Sequence, residues 1–393
     1  MKALGIAFLA LTLALASPDA KAQTSPVASA ADEKALAETV RDLCGKKVAL
    51  LGEGANHGDG NTEQFKVALV DKLIRQCGFT VIFFEASHYE FLNLERARKS
   101  RQRIGEAQIA AAVGGLWRFD LEFQPLLPVL ADGLNDGALR LGGLDDQLGG
   151  FGQDFSNKLL GEDLTLGMAP DRRSACREAI HHRVYQDYPP ERPYSANDKD
   201  ALLLCLTQAE QTARDNEQRQ MLRSLGRWIG RDLLDDAEMV RERDRSMFEN
   251  FRWLSTRLPR SAKIIVWGAT IHLAKDASAT PYFPASGNLG SRVRAMYGKA
   301  AYALGFSALE GAYRVGGRDQ RQLPAAPAGS LEVQTIAAAD ADQDAVYVGP
   351  GRLARFGRIS AAAFRHEYQR TDWSLALDGI VVFRRERPAQ LTR

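Results

Sequence analysis

Glu53 and His57 stand four residues apart in Gly52-Glu-Gly-Ala-Asn-His-Gly58. Much further along, Glu85 follows Phe83-Phe84, and His272 closes Trp267-Gly-Ala-Thr-Ile-His272. Carboxylates and imidazoles are the side chains that move protons near neutral pH. A neutral His oriented by a carboxylate is a general base for water. A second His can donate to a developing oxyanion. The same side chains can also bind zinc or iron. The Glu53–His57 spacing is that of two ligands on a helix, but Gly52, Gly54 and Gly58 disfavour a helix there, and no second close ligand pair exists. Acid–base catalysis is the favoured reading, with metal or haem binding and purely structural roles as alternatives. Glu85 should be buried behind its phenylalanines, and a buried Glu needs a partner or a raised pKa. His57, among flexible residues, is hard to explain by core packing, whereas Glu53 alone could be an ordinary strand-end carboxylate. His88, His181, His182 and His366 have no comparable setting and read as surface or packing residues. There is no Gly-x-Ser-x-Gly elbow, no credible Cys nucleophile and no phosphate-binding fingerprint. Direct attack by water is therefore favoured over a covalent intermediate.

The pattern around these residues says what must position them. Short apolar runs at 48–51, 80–84, 139–144 and 263–267 read as buried strands. Helical signals lie between them, beginning at Asn61 with Gln64 three residues on and an apolar face of Phe65, Leu69, Val70 and Ile74. Such alternation implies an α/β fold with a mostly parallel central sheet flanked by helices. Glu53, Glu85 and Asp145 each fall at the C-terminal end of a strand, where ligands bind in open α/β sheets. His57 and His272 follow the first and fourth strands, so one rim gathers the set. Residues 151–228 lack strand signals and read as a helical insertion covering the cleft at those strand ends. A long helix over 232–258 carries Leu233, Ala237, Val240, Met247, Phe251 and Leu254 on one face, with Asp244 among them. A carboxylate on an apolar stripe must be paired or hydrogen-bonded. A structural ion pair is the simpler reading of Asp244, and a site role the other. Shorter strands at 301–304, 345–348 and 380–383 should extend the sheet, and 336–342 should be a helix and its loop.

The chain of 393 residues opens Met1-Lys2, an apolar run to Ala16, a turn, and Ala20-Lys-Ala22. This predicts a secretory signal at 1–22, too short to cross a bilayer comfortably, with an uncleaved anchor as the alternative. Residues 23–34 should be a disordered leader and 35–393 one domain. A secreted or periplasmic location follows. Lys2, Asp19 and Lys21 leave with the signal, so net charge falls from +2 to about +1. No basic stripe suggests nucleic acid and no polybasic helix suggests a membrane surface. Four cysteines in a secreted chain favour disulfides, with free buried thiols as the alternative. Cys44 and Cys77 each lead into a strand at the same offset. If those strands are neighbours, Cys44 pairs with Cys77, leaving Cys176 with Cys205.

Further motifs occur in a fixed order. Glu63-Gln-Phe65 follows Gly52-Glu53 and His57-Gly58. Then come Phe84-Glu-Ala86, Leu116-Trp-Arg118, Gly143-Leu-Asp145 with Gln147, and Arg243-Asp244 with Met247 and Asn250. Trp267 to His272, Leu304-Gly-Phe306 with Gly311 and Tyr313, and Gly329-Ser-Leu-Glu332 complete the series. This ordered set resembles the erythromycin esterase family from about Leu36 to the C-terminus. The resemblance implies hydrolysis of a small-molecule ester by water, with His57 as general base and His272 assisting at the carbonyl. Glu53 and Glu85 would orient groups and water. Arg243, Asp145 and Gln147 are the expected substrate-binding residues, and no metal or other cofactor is expected. Two departures stand out. Three residues, Gly54-Ala55-Asn56, separate the Glu and the His where the family has two, and Ala269 stands where it has the first His of a pair. Macrolide hydrolysis is therefore not carried over with the fold, and a non-catalytic binding relative is a further alternative.

Overall fold

The computed structural model describes residues 32–392 apart from 151–152, 281–282, 284–286 and 317–318. The signal segment and most of the leader lie outside the described residues. The leader's last two residues, Glu33 and Lys34, open the helix Glu33–Cys44.

The strands are β1 (Val48–Leu51), β2 (Val81–Ser87), β3 (Arg140–Asp145), β4 (Ile264–Trp267), β5 (Ala301–Val315), β6 (Asp319–Gln322), β7 (Ala345–Val348), β8 (Arg358–Ala361), β9 (Gln369–Asp372) and β10 (Gly379–Glu386). Eight form one sheet in the order β3-β2-β4-β1-β5-β10-β7, with β6 pairing the outer part of β5. β3 through β10 in that order are parallel, and β7 closes one edge antiparallel. Alternate residues feed the two layers of core. Leu51, Phe84 and Trp267 pack on one face, and Leu50, Phe83 and Val266 on the other. Two consecutive β3 carbonyls accept from side chains. His88 Nδ1 bonds the Gly143 carbonyl at 2.8 Å, and Asn250 Nδ2 the Leu144 carbonyl at 2.8 Å.

Several sequence expectations shift in detail. β5 is 15 residues long, not four, because its outer part runs on to pair antiparallel with β6. Gly311 lets β5 pass β10 closely, since a Cβ there would lie 2.0 Å from the Glu386 carbonyl oxygen. The helix expected from Asn61 is Gly60–Cys77, and its start is not capped locally. Glu386, distant in sequence, accepts from Asn61 N at 2.7 Å and from Thr62 Oγ1 at 2.8 Å. The long helix is Asp236–Ser255. Leu233 falls outside it, exposed and at φ +71°, because Asp235 caps the helix by accepting from Glu238 N at 2.7 Å.

Both expected disulfides are present, Cys44–Cys77 and Cys176–Cys205. The first forms for a different reason than strand adjacency, since β4 lies between β1 and β2. The two cysteines are the last residues of neighbouring helices, and Lys263 Nζ, just before β4, donates to both of their carbonyls. The bridge closes a loop with a sequence separation of 33. Replacing both cysteines by Ala should lower unfolding free energy by about 3 kcal/mol. An unchanged urea midpoint would contradict that.

Between β3 and β4 lies a helical cover: Phe155–Leu159, Leu160–Thr165, Pro170–Tyr185, Ala196–Gln211 and Asn216–Gly230. It has its own apolar cluster, including Leu164, Ile180, Leu206 and Met221. Cys176–Cys205 ties its Pro170–Tyr185 and Ala196–Gln211 helices together. Among the described residues no helix is long and apolar enough to cross a membrane.

Candidate active site

β1 delivers Gly52 and Glu53 to the rim, and the chain then turns sharply. His57 N bonds the Gly54 carbonyl at 3.0 Å, and His57 adopts φ +53°. A left-handed backbone is uncommon outside Gly and marks a held conformation. The clamp is visible. Gly54 N donates to Asp59 Oδ2 at 3.1 Å, and His366 Nε2 lies 3.1 Å from Asp59 Oδ1. His366, expected on the surface or in packing, thus backs the turn, and its ring lies tilted against Tyr313 with centroids 4.1 Å apart. Gly54 is required here, because a Cβ would lie 2.3 Å from both Asp59 Oδ2 and His366 Nε2. Gly54→Ala should push that pair away and release the turn. Misplacing a catalytic group by about an ångström can cost about 10²-fold. A Gly54→Ala protein that keeps wild-type kcat would disprove the clamp.

Glu53 is buried and takes three donors. His57 Nδ1 lies 2.6 Å from Oε1, Trp117 Nε1 donates to Oε1 at 2.9 Å, and Lys66 Nζ donates to Oε2 at 2.5 Å. With Nδ1–H given to Glu53, His57 keeps a lone pair on Nε2. Lys66 is fully buried, with its ammonium 4.1 Å from the centroid of a Trp267 ring. Burial pushes its pKa down, against the opposing pull of Glu53. Lys66 went unread in the sequence, although it lies on the same helical stripe as Leu69, Val70 and Leu73.

A second cluster faces the first. Glu85 accepts from Arg243 Nη2 at 2.8 Å and from Ala269 N at 2.8 Å. Burial alone would raise its carboxyl, but His272, Arg243, His57 and the Ala269 N–H hold it down at about 2. Asp145 grips Arg243 at 2.7 Å through Nη2 and at 3.2 Å through Nε. Gln147 joins through its backbone N, 3.2 Å from Asp145 Oδ1. His272 Nδ1 lies 2.6 Å from Asp244 Oδ2. Arg243 Nη1 approaches its Nε2 at 3.1 Å, the geometry of a neutral ring accepting there. Burial opposes charging His272, but Asp244 and Glu85 outweigh it and raise its pKa. On protonation, Nε2–H would find Glu85 Oε1 at 3.4 Å. Asp244 is fully buried, and its other oxygen accepts from Leu289 N at 2.8 Å at the start of the helix Leu289–Tyr297. The carboxylate on the apolar stripe is therefore the partner of His272.

His57, Glu85, Asp145, Gln147, Arg243 and His272 all line one cleft of about 880 Å³. Leu116, Leu148, Trp228 and Met239 add apolar wall, and the cover contributes Arg183. Ala269 is buried with Ile271, Ala277 and Phe283. The position where the family has a His is thus apolar packing here. Among the described residues no group of three or more His, Cys, Asp or Glu is arranged to hold a metal ion.

The fold has known counterparts. A succinoglycan biosynthesis protein superposes with a TM-score of 0.69 at 14% identity, covering 94% of each chain. A Bacillus cereus protein gives 0.66 at 17% identity, covering 94% of this chain and 95% of that one. A mutant of the erythromycin esterase EreC in its open conformation gives 0.64 at 14% identity, covering 94% and 98%. No curated protein matches by sequence. The sequence model of the erythromycin esterase family matches residues 153–385, which include Arg243, Asp244 and His272 and leave Glu53, His57 and Glu85 to the geometry. With more than half of its length matched, the chain belongs to the erythromycin esterase family.

Proposed function

We propose that the protein is a secreted hydrolase that cleaves an ester or lactone bond by direct attack of water. The observation that carries this reading is the Glu53–His57 pair, 2.6 Å apart, on the cleft that Arg243 and His272 also line. His57 Nε2 takes a proton from water as the water oxygen bonds to the carbonyl carbon. Glu53 steadies the imidazolium that forms. The carbonyl oxygen becomes an oxyanion and is met by Arg243, which Asp145 and Glu85 hold in place, with His272 beside it. The C–O bond to the leaving alkoxide then breaks, and His57 returns the proton to that oxygen. Acid and alcohol leave, and the neutral imidazole is restored. The apolar wall of Leu116, Leu148, Trp228 and Met239 favours a bulky apolar substrate portion. Two disulfides and the signal-like N-terminus support export.

The test is turnover of a panel of small esters plus a macrolide by the mature protein, with and without chelator, beside elemental analysis. Chelator-insensitive turnover supports water attack without a metal. Absence of any turnover, with stoichiometric metal or haem in the protein, would replace it with a binding role.

A further inference from the structure

The helical cover carries a groove of about 380 Å³ that meets the cleft at Arg183 and Gln186, which line both. Its walls are mostly apolar: Tyr188, Pro189, Pro190, Pro193, Tyr194 and Leu233. This surface is open to an occupant. Leu233 is 65% exposed, and the three prolines are exposed as well. Apolar side chains scattered singly over a surface mean little, but a contiguous group of them beside a cleft marks a binding face.

Charge in the groove is cancelled from within. Arg183 Nε donates to Asp232 Oδ2 at 2.8 Å, and Tyr194 Oη donates to the same oxygen at 2.7 Å. The Arg183 guanidinium also lies 4.3 Å from the centroid of a Trp228 ring, and Trp228 lines the cleft. Among the described residues that line the groove, no other side chain is charged. No charge is left over to meet an ion, so the groove suits an uncharged apolar group. It is also held in shape. Gln186 and Leu233 adopt φ +52° and +71°, left-handed conformations that persist outside Gly only where the surroundings hold them. Lys199 Nζ pins the chain beside Leu233 by donating to the Gly230 and Asp232 carbonyls at 2.9 and 2.8 Å. Asp187 N and Tyr188 N bond the His182 and Gln186 carbonyls at 3.0 Å each. A wall fixed in this way, and built partly of proline, loses little freedom when it is covered.

We propose that this groove receives the uncharged apolar tail of an ester whose carbonyl lies in the cleft, with Tyr188 and Leu233 as specificity-determining residues. The proposal rests on the reading of the cleft as a site of ester hydrolysis. Trp228 and Met239 continue the apolar surface on the cleft side, so a tail passes over Arg183 and Gln186 without crossing an unpaired charge.

Equilibrium dialysis of the full chain against anilides, amides that stand in for the ester, tests the groove apart from the chemistry. The probes are butananilide, decananilide and the half-anilide of decanedioic acid, which ends the longer chain in a carboxylate. Decananilide should bind at one saturable site, roughly tenfold tighter than butananilide, and the half-anilide should lose roughly that factor. Leu233→Asn, which suits the left-handed backbone, and Tyr188→Ala should each cut the gain from the longer chain by roughly threefold or more. No gain from the longer chain, a half-anilide as tight as decananilide, or the full gain kept in both variants would overturn the proposal. Turnover of the 4-nitrophenyl esters of butanoic and decanoic acids is read separately. Chain-dependent binding with neither ester turned over supports the groove and counts against the hydrolase reading. Turnover of both esters with no preference for chain length in binding or in kcat/KM keeps the hydrolase and overturns the groove.

Discussion

Asp244→Asn is expected to lower kcat by about 10²–10⁴-fold while the protein stays folded, as for other carboxylates that set a catalytic His tautomer. Asp244 accepts the Nδ1 proton of His272 at 2.6 Å. An Asn amide can present its NH₂ group there instead, which drives the proton to Nε2. That nitrogen faces Arg243 Nη1 at 3.1 Å, so a donor would then meet a donor. Either the ring swings or the guanidinium moves, and both disturb the side of the cleft proposed to meet the oxyanion. The other Asn atom, its carbonyl oxygen, can still accept from Leu289 N, which keeps the helix start intact. Steady-state kinetics on the best ester, beside a thermal melt, decide the matter. A melt within a few degrees of wild type with kcat within twofold would remove His272 from the mechanism.

His57→Ala should cost a comparable factor, about 10²–10⁴-fold in kcat with KM little changed, because a base acts in the transition state more than in binding. Structural collapse is not expected, since Glu53 keeps the Trp117 and Lys66 donors. Added imidazole should restore part of the lost rate. The pH profile carries a second check. Burial pushes the Glu85 carboxyl up, yet His272, Arg243, His57 and the Ala269 N–H hold it at about 2. Its folded pKa lies below the unfolded value of about 4.3, so its stabilising contribution is full above that value and fades only as pH falls toward 2. Glu85 therefore stays ionised across the assay range. An acid limb in kcat/KM above pH 5 is then not that of Glu85, and removal of the proposed base in His57→Ala should change it. A limb that persists unchanged would point to another base.

The rim was legible because buried parallel strands write themselves as short apolar runs, and Glu53, Glu85 and Asp145 sit at their ends. Strand order was not legible. Nothing in residues 263–267 says that β4 slides between β1 and β2, because each strand is apolar on both faces and pairs equally well with any other. Local pattern found Asp244 and its need for a partner, but only the fold names His272 as that partner. Lys66 hid in a stripe of apolar residues, since a single cation looks like a breach of the pattern until Glu53 and Trp117 are placed beside it. The helix start at Gly60 was missed by a residue because its cap comes from Glu386, at the other end of the chain. His366 carried no signal at all. Its role depends on a turn whose geometry is set by Asp59 and by a left-handed His57.

The two disulfides link cysteines that are also nearest neighbours along the chain, with separations of 33 and 29 residues. Four thiols can combine in three ways, and both other combinations close loops several times longer. Each doubling of loop length costs about 0.6 kcal/mol of closure entropy. An oxidising but still unfolded chain is thus already biased toward the correct partners, once for the sheet domain and once for the cover. The two bridges do not interleave, so either can form first without trapping the other, and the oxidative maturation of this protein should proceed without shuffling by an isomerase.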